Sequence, residues 1–232
     1  MHIEPGLVDA TKLWLGHATA TATGVATLAL AAQGLRDSGP LRLATRVLAV
    51  AALVLCLFEL LPHPAVGVSE VHFIFGSTLF LLFGAAPAAL GLALGLLVQG
   101  LLFAPQDLPQ YGMNLTTLVA PLLAVSVLAR HIVPAHTRYA DVGYRQALAL
   151  SAAYQAGIVA WVAFWAFYGR GLAAGNGAAV VSFGGAYAMV LLLEPLLDLA
   201  VLALARQAGR AGDGLLLQRR LHQPARAIAP VS

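Results

Sequence analysis

The first two residues of the chain carry nitrogen donors at a spacing that suits one metal ion. If Met1 is the amino terminus, its amine, the backbone nitrogen of His2 and the His2 imidazole can close two small rings around one cation. These nitrogens become nearly coplanar once the amide proton is lost, and the fourth corner of the square then needs a donor from elsewhere in the chain. An all-nitrogen plane suits Ni²⁺, Cu²⁺ or a similar late first-row metal, whereas Mg²⁺ and Ca²⁺ prefer oxygen. A histidine at position 2 also fits a frayed terminus without a function, so the rest of the chain has to decide.

The composition is typical of a polytopic membrane protein. Hydrophobic residues make up 60% of the 232 residues and charged residues 10%. Several apolar runs approach or exceed the roughly 20 residues that span a bilayer as a helix. Ala, Leu and Gly dominate and strand-like alternation is absent, which favours an all-α helical bundle over a barrel. We predict one membrane domain over residues 1–205 and a basic cytoplasmic tail over residues 206–232.

The apolar runs predict about seven transmembrane helices. The predicted spans cover residues 7–35, 43–61, 73–83, 87–103, 114–128, 144–168 and 180–205. The third and fourth spans are separated at Gly84-Ala85-Ala86-Pro87, because one helix over the whole run would overshoot the bilayer. An irregular polar loop with His63, Glu70 and His72 connects the second and third spans.

Charge distribution predicts the orientation. All but Lys12 and Arg170 of the 13 Lys and Arg residues lie near the turn after the first span, near the loop after the fifth, or in the tail. With seven spans and an external amino terminus these clusters all face the cytoplasm, as the positive-inside rule requires, whereas six spans would divide them between the two faces. The chain also opens without the basic region of a cleavable signal, so we expect the amino terminus to be kept. Met1 and His2 then lie outside, on the same face as the loop histidines.

Several motifs occur in a fixed order along residues 1–205. They are Met1-His2-Ile3-Glu4-Pro5-Gly6, His72-Phe73-Ile74-Phe75-Gly76-Ser77, Gln99-Gly100-Leu101-Leu102-Phe103, Gly112-Met113-Asn114 and Glu194-Pro195-Leu196. Together they resemble the CbiM/NikM family, the substrate-specific components of energy-coupling-factor (ECF) cobalt/nickel transporters of the ABC class. Two departures from the family pattern are the exchanged order of Glu4 and Pro5, and Phe75 in place of a common glycine.

The resemblance implies a square metal site and a transport function. Its four nitrogens are the Met1 amine, the His2 amide nitrogen, the His2 imidazole and the His72 imidazole. Asn114, Ser69 and Ser77 are candidates to orient these ligands, since metal-bound imidazoles usually have outer hydrogen-bond partners. The implied function is high-affinity uptake of Co²⁺ or Ni²⁺ across the cytoplasmic membrane, with the ion as cargo and no other cofactor.

The resemblance also implies partner subunits. The chain contains no G-x-x-x-x-G-K-[ST] sequence and therefore no P-loop of its own. The resemblance thus implies a transporter subunit without its own ATPase motif, and not an enzyme. A transmembrane coupling subunit and ATPase subunits are expected, often with a small accessory membrane subunit. Small residues on the first span allow another helix to approach closely in lipid, which fits either docking of a partner or packing within the bundle. These residues are Ala18, Thr19, Ala22, Thr23, Ala26 and Thr27.

Other functions compete with transport. In a membrane metalloenzyme, Glu70 would act as a base beside a metal held by His63 and His72, although this loop contains prolines and lacks the H-E-x-x-H helix spacing of metalloproteases. A metal-sensing membrane protein is a further alternative. Within the transport reading, His63 and Glu70 fit either an entry path for the ion or a solvated loop. The sequence does not distinguish Co²⁺ from Ni²⁺.

Overall fold

Seven α-helices and one β-hairpin form the part of the chain that the computed structural model describes, which is Ile3 and residues 6–207. The helices are α1 (Leu13–Ser38), α2 (Pro40–Leu60), α3 (Gly76–Phe83), α4 (Ala85–Leu102), α5 (Tyr111–Ile132), α6 (Tyr144–Arg170) and α7 (Ala174–Gln207). The hairpin strands are β1 (Ala65–Val66) and β2 (Ser69–Glu70), and short 3₁₀ turns lie at Ala10–Lys12, Pro105–Gln110 and Tyr139–Asp141. The predicted all-α bundle is confirmed. The predicted irregular loop contains the hairpin, and the predicted tail lies outside the described residues from position 208 onward.

Five of the described helices are long and apolar enough to cross a membrane: α2, α4, α5 with its preceding turn, α6, and α7 as far as Leu204. With 26 residues, α1 is also long enough, but its threonines and His17 make it more polar than these five. The eight residues of α3 give about 12 Å of helix, too short to cross alone. The chain is a multi-pass membrane protein, but not every predicted span is a complete transmembrane helix.

Local backbone chemistry sets several helix ends. Helix α2 begins at Pro40, earlier than predicted, because proline is preorganised for the first helical turn. The predicted break between α3 and α4 is confirmed at Gly84, whose φ of +95° ends one helix and admits the next. Helix α7 also begins earlier than predicted. Asn176 in its first turn donates hydrogen bonds to the carbonyl oxygens of Ala166 and Gly171, at 3.0 and 2.6 Å, which holds this turn against the end of α6.

The third predicted span is irregular in its first part. Helix α3 starts at Gly76 and not at residue 73, because Phe75 takes a left-handed conformation with φ +54°. Residues 71–75 therefore lead irregularly from the hairpin into the bundle. These residues reach at most about 17 Å and α3 adds about 12 Å, which together approach the roughly 30 Å of a bilayer core. We call residues 71–83 the broken span.

The amino-terminal segment is tied to the end of α6. Lys12 Nζ donates to the carbonyl oxygens of Tyr168 and Gly169, at 3.1 and 3.0 Å. The last carbonyls of a helix have no partner within the helix, so a lysine is well suited to bind them. Leu7 and Val8 are buried. The segment thus lies on the bundle before α1 begins.

Candidate metal centre

Ile3 joins the amino-terminal segment to the hairpin and to α5. It forms an antiparallel bridge with Ser69 of β2, and its N–H donates to Oδ1 of Asn114 at 3.0 Å. Ile3 is 0% and Asn114 1% exposed. An unpaired buried N–H costs about 1–3 kcal/mol, so this hydrogen bond holds Ile3 against the start of α5.

The hairpin that receives Ile3 depends on a glycine. Its antiparallel strands are joined by a two-residue turn, and Gly67 takes the first turn position with φ +64°. Two-residue hairpin turns of this kind favour glycine at that position. A Cβ atom on Gly67 would also lie 2.1 Å from the carbonyl oxygen of Ala179. The hairpin is therefore held between Ile3 on one side and α7 on the other.

His72 follows the hairpin and is nearly inaccessible, with 1% of its surface exposed. Its Nε2 atom lies 2.8 Å from Oε2 of Glu70. Glu70 ends β2 and His72 is the second residue of the irregular segment that follows, so only one residue separates them. A carboxylate in this position fixes the tautomer and orientation of a metal-binding histidine. With the proton on Nε2, Nδ1 is the ring nitrogen whose lone pair can bind a metal.

Two aromatic rings pack on His72. The His63 ring is stacked on it, with 5.0 Å between centroids and 5° between planes, and the Phe58 centroid lies 4.8 Å away. Imidazole lone pairs lie in the ring plane, so nitrogens of parallel stacked rings do not converge on one cation at the roughly 2.0–2.1 Å of a metal–nitrogen bond. In this geometry His63 orients the His72 ring and is not a second ligand beside it. His63 and Glu70 both contact the buried His72, whereas residues of a solvated loop would face water.

A carboxylate of α7 lies beneath the His72 segment. Oε1 of Glu194 accepts hydrogen bonds from the N–H groups of Ile74, at 2.5 Å, and Phe75. Glu194 is 0% exposed. Backbone groups of an irregular segment at membrane depth have no water to bind, so the protein must satisfy them. Glu194 does this for the residues directly after the histidine.

Of the three predicted ligand residues, His72 is the one that the structure describes. Met1 and His2 lie outside the described residues. His72 occupies a buried position at the end of the bundle where Ile3 enters. The predicted donor set therefore stays a prediction, with one of its members placed.

The three residues predicted to orient the ligands lie in two places. Asn114 and Ser69 both contact Ile3. Ser77 lies deeper, and its hydroxyl donates to Oδ2 of Asp198 on α7 at 2.6 Å. Asn114 and Ser69 can thus act on the amino-terminal segment, whereas Ser77 belongs to the contact between α3 and α7.

Sequence reasoning missed the roles of Glu70 and Glu194. For Glu70 a signal was present, since it lies only two residues before His72. For Glu194 the signal was an acidic residue within an apolar run, which usually faces the bundle interior with a specific partner. The partner itself, 120 residues earlier in the chain, was not readable from the sequence.

The residues predicted to dock a partner divide between two faces of α1. Thr23 and Thr27 are buried within the bundle, and Thr19 accepts a hydrogen bond from Thr116 of α5 at 3.1 Å. The alanines of the set are exposed: Ala18, Ala22 and Ala26. The threonines therefore serve internal packing, and the docking hypothesis is kept for the alanines.

A helical membrane bundle that holds a buried, carboxylate-oriented histidine beside its amino-terminal segment has the features of a membrane metal-binding protein. The family model of CbiM, described as the cobalt uptake substrate-specific transmembrane region, matches residues 2–211. The chain belongs to this family, whose members are substrate-specific components of transporters and not enzymes.

Two solved structures share the fold. The first, the crystal structure of a transition metal transporter, has 17% sequence identity and a TM-score of 0.64, over 90% of this chain and 93% of that chain. The second, a truncated transition metal transporter, has 19% identity and a TM-score of 0.59, over 88% and 96%. No curated protein sequence matches the chain. At these identities the two structures support the fold alone.

Proposed function

We propose that this chain captures Ni²⁺ or Co²⁺ from outside and passes it inward as the substrate-specific subunit of an ECF-type ABC transporter. Its site is a square plane of four nitrogens. Three come from the Met1 amine, the His2 backbone nitrogen and the His2 imidazole, and the fourth is Nδ1 of His72. The observation that carries this proposal is the placement of Ile3, which is buried, bonded to Asn114 and paired with β2.

Ile3 supports the proposal because it limits how far the terminal donors are from His72. Its bridge partner Ser69 precedes His72 by only three residues. Two residues of chain reach roughly 7 Å, and an imidazole adds its own length. The proposal needs Met1 to be the amino terminus, since an additional residue would convert the terminal amine into an amide.

The charges at the two ends of the bundle support an outward-facing site. Among the described residues, the hairpin end carries the carboxylates of Asp9, Glu59 and Glu70 at or near the surface, together with a buried Asp107 and the cations Lys12 and Arg170. An acidic surface raises the local concentration of cations. The opposite end carries the arginines that flank the α1–α2 and α5–α6 connections, which the positive-inside rule assigns to the cytoplasm.

ATP-driven transport requires other subunits, because the sequence has no P-loop. We propose a transmembrane coupling subunit and a pair of ATPases as partners, often joined by a small accessory membrane subunit. The exposed alanines of α1 are the proposed docking surface, since small side chains allow close helix approach in lipid. Ala22→Leu should then reduce recovery of the coupling subunit and metal uptake while Ni²⁺ binding is unchanged. If the complex forms normally, this surface is not the docking site.

The donor set is tested by titrating the purified protein with Ni²⁺ and recording its visible spectrum. The parent should develop the yellow band of square-planar Ni²⁺, and His2→Ala, His72→Ala and a variant with one residue inserted after Met1 should each lose it. His131→Ala is a matched control, because His131 is exposed at the opposite end and contacts the Val127 carbonyl. Parent-like binding by the insertion variant would show that the terminal amine is not a ligand.

Transport is tested separately by metal uptake into cells that express the chain with and without its coupling and ATPase subunits. Uptake only with those subunits is the expected result. A chain that binds Ni²⁺ but supports no uptake with the complete set of subunits would instead indicate a metal-sensing membrane protein.

A further inference from the structure

Glu194 makes a contact that bears on the proposed metal site without touching the metal. Its Oε1 atom accepts two backbone hydrogen bonds, from Ile74 and Phe75, and the side chain is 0% exposed. Ile74 follows His72 by only two residues. A carboxylate on α7 therefore holds the backbone directly beyond the histidine.

The break in the span explains why this backbone needs a side-chain acceptor. The left-handed Phe75 ends the irregular segment and α3 begins at the next residue. Ile74 and Phe75 lie before the first residue of α3, so their N–H groups have no acceptor within the helix. At membrane depth water cannot replace such an acceptor. Glu194 supplies the acceptor for both N–H groups at this point.

A second carboxylate extends the contact into α3. Asp198, one helical turn after Glu194, accepts hydrogen bonds from the hydroxyl groups of Ser77, at 2.6 Å, and Thr78. Asp198 is 3% exposed. The broken span is thus attached to α7 on both sides of Phe75, through backbone groups before it and side chains after it.

We propose that Glu194 is a positioning residue for the metal site, which sets the position of the His72 imidazole through the backbone of residues 74 and 75. This inference rests on the proposed function, because it takes His72 as the fourth donor. The rotation of the His72 ring is fixed by its contacts with Glu70, His63 and Phe58. Glu194 fixes the position of the backbone from which this ring extends. It follows that the fourth donor moves with α7, whereas the terminal donors are held through Ile3 to α5.

The test compares two replacements at one position. Glu194→Met removes the acceptor, and we expect Ni²⁺ affinity to fall roughly tenfold or more, since loss of an outer partner of a metal ligand typically costs 10–100-fold. Glu194→Gln keeps an oxygen that can accept both N–H groups, and it should bind nearly as well as the parent. If the Gln variant binds as weakly as the Met variant, the accepted hydrogen bonds do not position His72 and the proposal is wrong.

A double-mutant cycle separates positioning from a general effect on folding. If Glu194 acts through His72, Glu194→Met should cause no further loss of affinity in a His72→Ala background. An equal additional loss there would mean that Glu194 supports the whole bundle, and parent-like affinity of Glu194→Met alone would also overturn the proposal. If His72→Ala itself leaves affinity unchanged, the proposed donor set fails, which is a different outcome from either of these.

Discussion

Replacement of Asn114 by leucine should weaken metal binding without a change in any proposed ligand. The substitution removes Oδ1, which accepts the Ile3 N–H at 3.0 Å, and keeps a side chain of similar size at a position that is 1% exposed. A buried N–H without an acceptor costs about 1–3 kcal/mol, and 1.4 kcal/mol corresponds to tenfold in affinity. We therefore expect Ni²⁺ affinity to fall by roughly 5- to 150-fold.

The loss should appear in affinity more than in stability. In the absence of metal the amino-terminal segment of the variant can leave α5 and expose the Ile3 N–H to water. Metal binding then requires this segment to return to its buried position, so part of the binding free energy is spent on ordering it. The helices that form the core do not depend on this hydrogen bond, and thermal unfolding in detergent should change little.

Competition between the protein and a chelator of known affinity, followed by the square-planar band, measures the effect. Asn114→Asp keeps an acceptor oxygen and should bind more tightly than the leucine variant. Thr117→Val is a control on the same helix, because Thr117 donates to the Met113 carbonyl at 2.8 Å. Parent-like affinity of Asn114→Leu would refute the argument that Ile3 is held for metal binding.

Three further predictions test the hairpin and the broken span. Glu70→Gln should lower Ni²⁺ affinity by about tenfold or more, because it weakens the contact that orients His72. Unchanged affinity in the same titration would show that Glu70 does not orient the histidine. Phe75→Gly removes the penalty of a left-handed backbone, roughly 1–2 kcal/mol, whereas Phe75→Val keeps this penalty with a stiffer side chain. The glycine variant should therefore melt at a higher temperature than the valine variant. Equal melting temperatures would contradict the argument that Phe75 is strained. Gly67→Ala should displace the hairpin and reduce both melting temperature and Ni²⁺ affinity, whereas Gly175→Ala, which meets no atom within 4 Å, should leave both unchanged.

The helical architecture was predictable because each long span needs a long apolar run, and such runs are visible in a single sequence. The break at Gly84 was predictable for a related reason, since an uninterrupted helix would have exceeded the bilayer. The start of α3 at Gly76 was not predictable from the sequence. Phenylalanine carries no signal for a left-handed conformation, which L residues rarely adopt, and the position became notable only through the glycine that the family commonly has there.

The hairpin and its contacts lay beyond the sequence for different reasons. Each strand has two residues, too few for alternation to be recognised. Without the hairpin, the contact of Glu70 with His72 could not be assigned. Asn114 was predicted to lie near the site, and the structure places it on Ile3, although its effect on a bound metal is still a prediction. The contact of Glu194 with Ile74 joins residues 120 positions apart, and no local pattern indicates such a pair.

The two proposed halves of the metal site are attached to different helices, and this arrangement suggests how an ion could be released. Asn114 on α5 holds Ile3, which follows the proposed terminal donors, and Glu194 on α7 holds Ile74, which follows the proposed fourth donor His72. Both helices pack on α6. Metal–ligand distances are defined within about 0.2 Å, so a shift of α7 against α5 larger than this would distort the nitrogen plane. A coupling subunit that displaced one of these helices could therefore weaken binding by separating the donors, with the terminal chelate itself left intact.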